Sequence, residues 1–230
     1  MLSELFTAFR GGDVDFISIV IQLLAYVVII FLVLPFHEWA HAFTAMKLGD
    51  TTVKYRGRLS LNPLAHIDVI GSLCLILFGF GWAKPVPVNP RNFKNEKVGM
   101  AITAVMGPVA NLVAALAGAI ILCGLVTFVP NIILNNVGVY FLKFLNFYVT
   151  VNVALAVFNL IPIPPLDGSK VLFVFLPNKA VNFFYQYEQF IMMGMFVLLW
   201  TGFLSGPLSL LSGYLSDAVY FVASLPYFWV

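Results

Sequence analysis

The chain has 230 residues, of which 61% are hydrophobic and only 10% charged, with a net charge of +2 and a mean hydropathy of +0.98. A soluble domain carries about 25% charged residues, so these values exclude a water-solvated globule, and so small a net charge gives no reason to expect nucleic acid as a partner. They describe an all-α integral membrane protein whose main solvent is the lipid bilayer, a single membrane-embedded domain over residues 1–230 built as a bundle of about five to six transmembrane segments.

In chain order, the opening "MLSELFTAFRGGDVDF" has neither a basic n-region nor a small-residue cleavage site, and reads as no removable signal peptide. Segment I covers Phe16 to Leu48. As one helix it would measure about 50 Å against a hydrocarbon core of about 30 Å, so it tilts, protrudes or is adjusted near Pro35. Residues 51–67, "TTVKYRGRLSLNPLAHI", alternate polar and apolar and predict a short β-hairpin. Segment II, Val69–Trp82, is rich in Gly and Phe and short for a span, which predicts a re-entrant insertion after the first helix. Segment III covers Val98–Val129, segment IV about Val137–Ile161 and segment V about Gln189–Leu211. The tail 213–230, with Asp217 as its one charge, predicts a sixth short segment or an interfacial one. Cys74 and Cys123 lie in apolar segments and fit buried free thiols.

Basic residues orient the bundle. Lys47, Lys54, Arg56, Arg58, Lys84, Arg91, Lys94 and Lys97 crowd residues 47–97, the III–IV connection has none, and Lys170 and Lys179 lie in 162–188. If segment II dips in and returns, all of them are cytoplasmic, and the N-terminus, with only Arg10, is outside.

Segment I ends in "PFHEWAHAF", where His37, Glu38 and His41 form H-E-x-x-H. Residues four apart share a helix face, so both imidazoles can reach one ion, while Glu38 points beside them and can touch an activated water without ligating. Two histidines that merely cap or pair at an interface would be the plain alternative, but titratable groups at membrane depth are costly and mark function. A catalytic zinc takes three protein ligands and keeps one position open. Candidates for the third are His66, which follows a turn-like Asn-Pro and reads more readily as structural, and the membrane-depth carboxylate Asp167 in "FNLIPIPPLDGSK". Pro162, Pro164 and Pro165 stop segment IV just before Asp167, and irregular backbone at that depth is tolerated where it lines a site.

H37-E-W-A-H41, G107-P-V-A-N111 and N159-L-I-P-I-P-P-L-D167-G168, in that order, resemble the site-2 protease family, peptidase family M50, the intramembrane zinc metalloproteases. "LSLNPLAHID" and "GFGWAKPVPVNPRNFKN" are similar to its small members without PDZ or CBS domains. The resemblance covers about residues 30–175 and implies a catalytic core over about 16–176, with C-terminal helices over about 189–230. It implies one Zn²⁺ per chain on His37, His41 and Asp167, Glu38 as general base, and Asn111 and Asn159 lining the site to hold substrate backbone or the developing oxyanion. Without the resemblance, Asn111 could equally bond a neighbouring helix and Asn159 could satisfy carbonyls freed by the prolines. The expected activity is cleavage of membrane-protein substrates within or near transmembrane segments, in a multi-pass protein of the cell membrane with its site near the cytoplasmic side. The competing readings are a metal-ion transport protein and a non-catalytic homologue that binds transmembrane segments. The hairpin and the re-entrant segment are the expected places for strand addition by an unwound substrate. The oligomeric state and the natural substrate are not written in the sequence.

Overall fold

The computed structural model describes residues 16–78 and 81–229, and every regular element among them is helical. The expectations about a signal peptide and about the side on which Arg10 lies concern residues 1–15, outside the described residues, as are 79–80 of the expected re-entrant segment.

Helix α1, Phe16–Lys47, is continuous but carries a π-helical turn at Ile29–Val33, where the Leu34 amide bonds back to the Ile29 carbonyl. Pro35 supplies the cause. Its ring lacks an N–H and collides with the carbonyl four residues earlier, and a wider turn makes room. The extra residue rotates everything after it by about 100°, so this turn selects the face on which His37 and His41 stand.

The hairpin expected over 51–67 does not form. The segment folds instead as two short helices, α2 (Thr52–Tyr55) and α3 (Pro63–His66). Gly57, at φ 68°, ends the first, and Asn62 caps the second by accepting from the Leu64 amide, with Pro63 in the first turn. Asn-Pro here is a helix start, not a strand end. α4, Val69–Phe78, has 10 residues and is about 15 Å long, too short to cross about 30 Å of hydrocarbon unaided.

α5 is Glu96–Phe128, capped by Asn95, and α6 is Asn136–Asn159, capped by Asn135. A proline-rich turn follows, with a cis peptide bond between Pro164 and Pro165, then α7 (Gly168–Phe175) and α8 (Asn178–Gln186). Segment V is not one helix. α9 stops at Trp200 after Glu188–Trp200, the chain turns at Gly202 with φ 75°, and α10 covers Ser205–Ser224. A left-handed glycine closes a helix without a Cβ penalty, and Pro207 is tolerated in the next first turn. The expected tail segment is therefore the second half of α10. Among the described residues, four helices are long and apolar enough to cross a membrane: α1, α5, α6, and α10 with its terminal turn to Tyr227.

Small residues let these helices approach. Ala115 and Ala119 of α5 pack with Val149, Val153 and Val157 of α6 and with Val219 and Ala223 of α10. A Cβ on Gly118 would stand 2.8 Å from the Tyr148 ring. Lipid gives little hydrophobic drive between helices, so such close van der Waals packing holds the bundle. Tyr227 Oη donates to the Ile120 carbonyl at 2.9 Å, and Tyr220 Oη to Asn146 Oδ1 at 2.8 Å, tying α10 to both neighbours. On the other side Tyr26, Ile29, Ile30 and Val33 of α1 meet Leu75 of α4 and Leu155 of α6. The C-terminal turn of α1 rests on a third cluster, Ala42 and Ala45 with Val53 and Phe93.

Candidate metal centre

His37 and His41 are one turn apart on α1, both buried, and face α5. Their Nδ1 atoms are both committed to α5. His41 Nδ1 lies 2.8 Å from the Thr103 carbonyl, and His37 Nδ1 lies 3.1 Å from Asn111 Oδ1. A carbonyl only accepts, so His41 carries its hydrogen on Nδ1, and the carboxamide oxygen places the hydrogen of His37 likewise. Each Nε2 is thereby left as a bare lone pair. Between residues 103 and 111, at the next turn of the same face, Gly107 gives the imidazoles their room: a Cβ there would stand 2.3 Å from His41 Nε2 and 2.6 Å from His37 Cε1.

Asp167 comes from the other side. The proline-rich turn folds tightly enough that a Cβ on Gly168 would meet the Leu160 carbonyl at 2.2 Å. Ser169, fully buried, donates through Oγ to the Leu166 carbonyl at 2.7 Å. This turn delivers Asp167 Oδ2 to 3.4 Å from His37 Nε2 and 3.3 Å from His41 Nε2, while the two Nε2 atoms stand 3.0 Å apart.

Three acceptors thus converge with no hydrogen among them, and buried Asp167 Oδ2 has no hydrogen-bond partner. Unpaired buried acceptors are expensive; a cation satisfies all three at once. Bonds of about 2.0–2.1 Å in a tetrahedral site put neighbouring ligand atoms about 3.3 Å apart. The three separations match that edge length, so the donor set fits zinc without rearrangement. His37, His41 and Asp167 are the one group among the described residues whose ligand atoms could share an ion.

Glu38 is buried and stands outside that group. Its Oε2 accepts from the Val86 amide at 3.1 Å. Asn111 is fully buried with Nδ2 unpartnered. Half-buried Asn159 donates through Nδ2 to the Leu155 carbonyl of its own helix at 3.0 Å. His66 is fully buried and apart from the triad. Its Nε2 donates to the Ser60 carbonyl at 2.7 Å, and its own carbonyl accepts from the Lys84 amide at 2.7 Å, so it pins α3 to the chain at 84. Sequence reasoning missed the Thr103 carbonyl and the Val86 amide, which leave no side-chain signal. The reason for Gly107 was visible only as a register, four residues from 103 and from 111.

The profile of the family described as peptidase family M50 matches residues 133–202, which include Asn159 and Asp167. "Putative zinc metalloprotease YwhC" of Bacillus subtilis is 37% identical over 161 residues, 66% of this chain and 69% of the relative. "Putative zinc metalloprotease Rip2" of Mycolicibacterium smegmatis is 36% identical over 143 residues, 59% of this chain and 51% of that one. Its namesake in Mycobacterium tuberculosis H37Rv is 30% identical over 174 residues, 74% and 64% of the two chains. The chain thus covers less than two thirds of the length of either mycobacterial relative. No solved structure matches. A likeness that extends over two thirds of a relative and a family profile that contains the carboxylate of the triad place this chain in peptidase family M50.

Proposed function

We propose that the protein is an intramembrane zinc metalloendopeptidase that cuts membrane proteins within or near their transmembrane segments. The observation that carries this reading is the convergence of three bare acceptors from α1 and the turn before α7, with a carboxylate, Glu38, next to them in sequence and outside their circle. His37, His41 and Asp167 would hold the ion, in a single domain with its core over about 16–176. When bound, zinc supplies a Lewis acid that polarises the scissile carbonyl and acidifies the attacking water. Glu38 takes the proton of that water and returns it to the leaving nitrogen. Asn111 Oδ1 and the Thr103 carbonyl keep the two imidazoles in the tautomer that presents Nε2. The unpartnered Asn111 Nδ2 and the carboxamide oxygen of Asn159 are the polar atoms assigned to substrate backbone.

A peptide bond inside a transmembrane helix is shielded, its carbonyl bonded within the helix, so the substrate unwinds locally before the cut and Gly, Pro or Asn near the bond favours it. The basic residues on both flanks of α4 support an orientation with its two ends, and water access with them, on the cytoplasmic side. A transport role would need ligands without a base. Glu38, beside the triad and outside it, favours hydrolysis.

The decisive variant is Glu38→Gln, which keeps shape and removes basicity. Cleavage of a transmembrane reporter is expected to fall by about 10²–10⁴-fold, with one zinc per chain retained. Cleavage near the wild-type rate would overturn the protease reading.

A further inference from the structure

Residues 82–89, which lead into the 3₁₀ turn Pro90–Asn92, carry no regular secondary structure and are punctuated by prolines, "WAKPVPVNP" over 82–90. Pro85 and Pro87 have no N–H to give. The remaining amides of residues 84–89 are all spent inward: Lys84 to the His66 carbonyl at 2.7 Å, Val86 to Glu38 Oε2 at 3.1 Å, Val88 to the Val86 carbonyl at 3.0 Å, and Asn89 to Asp50 Oδ2 at 2.7 Å. The strap is anchored on both sides of Val86. Behind it, the Val86 and Val88 side chains pack on the Ala42–Ala45 cluster of α1, and Asn92 Nδ2 donates to Asp50 Oδ1 at 2.7 Å. Ahead of it, buried His66 holds Lys84.

We infer that this strap is a positioning device for the catalytic carboxylate, with the Val86 amide as its working atom. This rests on the protease reading of Glu38. A free glutamate samples several rotamers, and a base held at one oxygen by a backbone donor presents the other in a fixed direction. Glu38 Oε2 is engaged by Val86, while Oε1 takes no hydrogen bond from the described residues and is the atom that receives the proton of the attacking water. The prolines on either side of Val86 serve the same end. They stiffen the strap, and they leave no neighbouring amide to compete for the carboxylate or to pair with a passing chain. Over residues 84–89 the strap therefore offers a substrate only carbonyl acceptors, and its one amide beside the base is reserved for Glu38.

The test compares Val86→Pro with Val86→Ala. Both lose the isopropyl group, and only the first loses the N–H; it also gains a ring that fixes φ, so the exchange measurement below separates the donor from the ring. The probe is a fluorogenic transmembrane peptide with Gly and Pro at its centre, in proteoliposomes with the full chain. We expect kcat of Val86→Pro to lie about tenfold to hundredfold below that of Val86→Ala, with KM and zinc content equal in the two. Equal kcat, or a difference in KM alone, overturns the inference. A second measurement needs no cleavage. Hydrogen exchange at Val86 is expected to quicken about tenfold or more in Glu38→Ala, while the amides of Lys84 and Asn89 keep their protection. Unchanged exchange at Val86 also overturns it, even if Val86→Pro fails to fold. A wild type that does not cut the probe counts against the protease reading, and the exchange measurement still decides the contact.

Discussion

At the scale of single residues, the site is a set of atoms that each have one task. His37, His41, Glu38 and Asp167 were legible because histidines and carboxylates are costly in a membrane and rarely stand there without a role. Of the groups that hold them, Asn111 was named as lining the site, but the Thr103 carbonyl and the Val86 amide were not, because backbone atoms carry no side-chain signature. Asn111→Ala removes the acceptor of His37 Nδ1, and zinc affinity is expected to fall about 10- to 100-fold, read by competition with a chelator. Gly107→Ala places a methyl group within 2.3 Å of His41 Nε2. Purified protein of unchanged helicity should then contain little zinc by metal analysis, and full zinc content would show that α1 and α5 can part. Away from the metal, fully buried Asp50 accepts from the Thr52 amide and hydroxyl, the Asn89 amide and the Asn92 side chain. Burial opposes its ionisation, but these bonds outweigh it and hold its carboxyl below the ordinary value. Asp50 is thus more readily charged folded than unfolded. Its contribution is complete above the unfolded pKa of about 3.9 and is lost as pH falls through the lower folded value. Asp50→Asn should cost about 1–3 kcal/mol near neutrality, and the gap between its melting temperature and that of the wild type should start to close only as pH falls below about 4 and vanish beneath the lower folded value.

At the scale of elements, apolar length and proline placement gave three of the long apolar helices, α1, α5 and α6, within a few residues at most ends, since a long apolar run has few other outcomes in lipid. Local signals of equal weight for two structures misled. Alternation over 51–67 looked like a β-hairpin, but Asn62-Pro63 starts a helix and Gly57 stops one, and no strand stands among the described residues. The split at Gly202 was concealed by apolar residues on both sides, because hydropathy sees the membrane and not the turn. The π-helical turn before Pro35 was foreseen only as an adjustment of unknown kind. The length of α4 makes a topological prediction. Single cysteines beside Arg56 and Arg91 should label from the same side of the membrane with an impermeant maleimide, and one beside Asn135 from the opposite side. Labelling of 56 and 91 from opposite sides would show that the stretch between them crosses.

At the scale of the whole molecule, one ion would join α1 to the turn between α6 and α7. Anything that binds the folded state alone stabilises it by mass action, about 2.7 kcal/mol at a hundred times its dissociation constant. Stripping the metal should therefore lower the melting temperature in a way that added zinc reverses, and His41→Ala should melt at the same temperature with or without zinc. The same geometry has a consequence in time. The ribosome makes both histidines early and Asp167 only after more than half of the chain has followed, a delay on the order of ten seconds. Until then α1 waits in the membrane with an incomplete claw, able to hold an ion only loosely. Metallation is thereby a checkpoint on assembly: the nascent chain cannot become a hydrolase before α5 and α6 have been inserted and the proline-rich turn has docked.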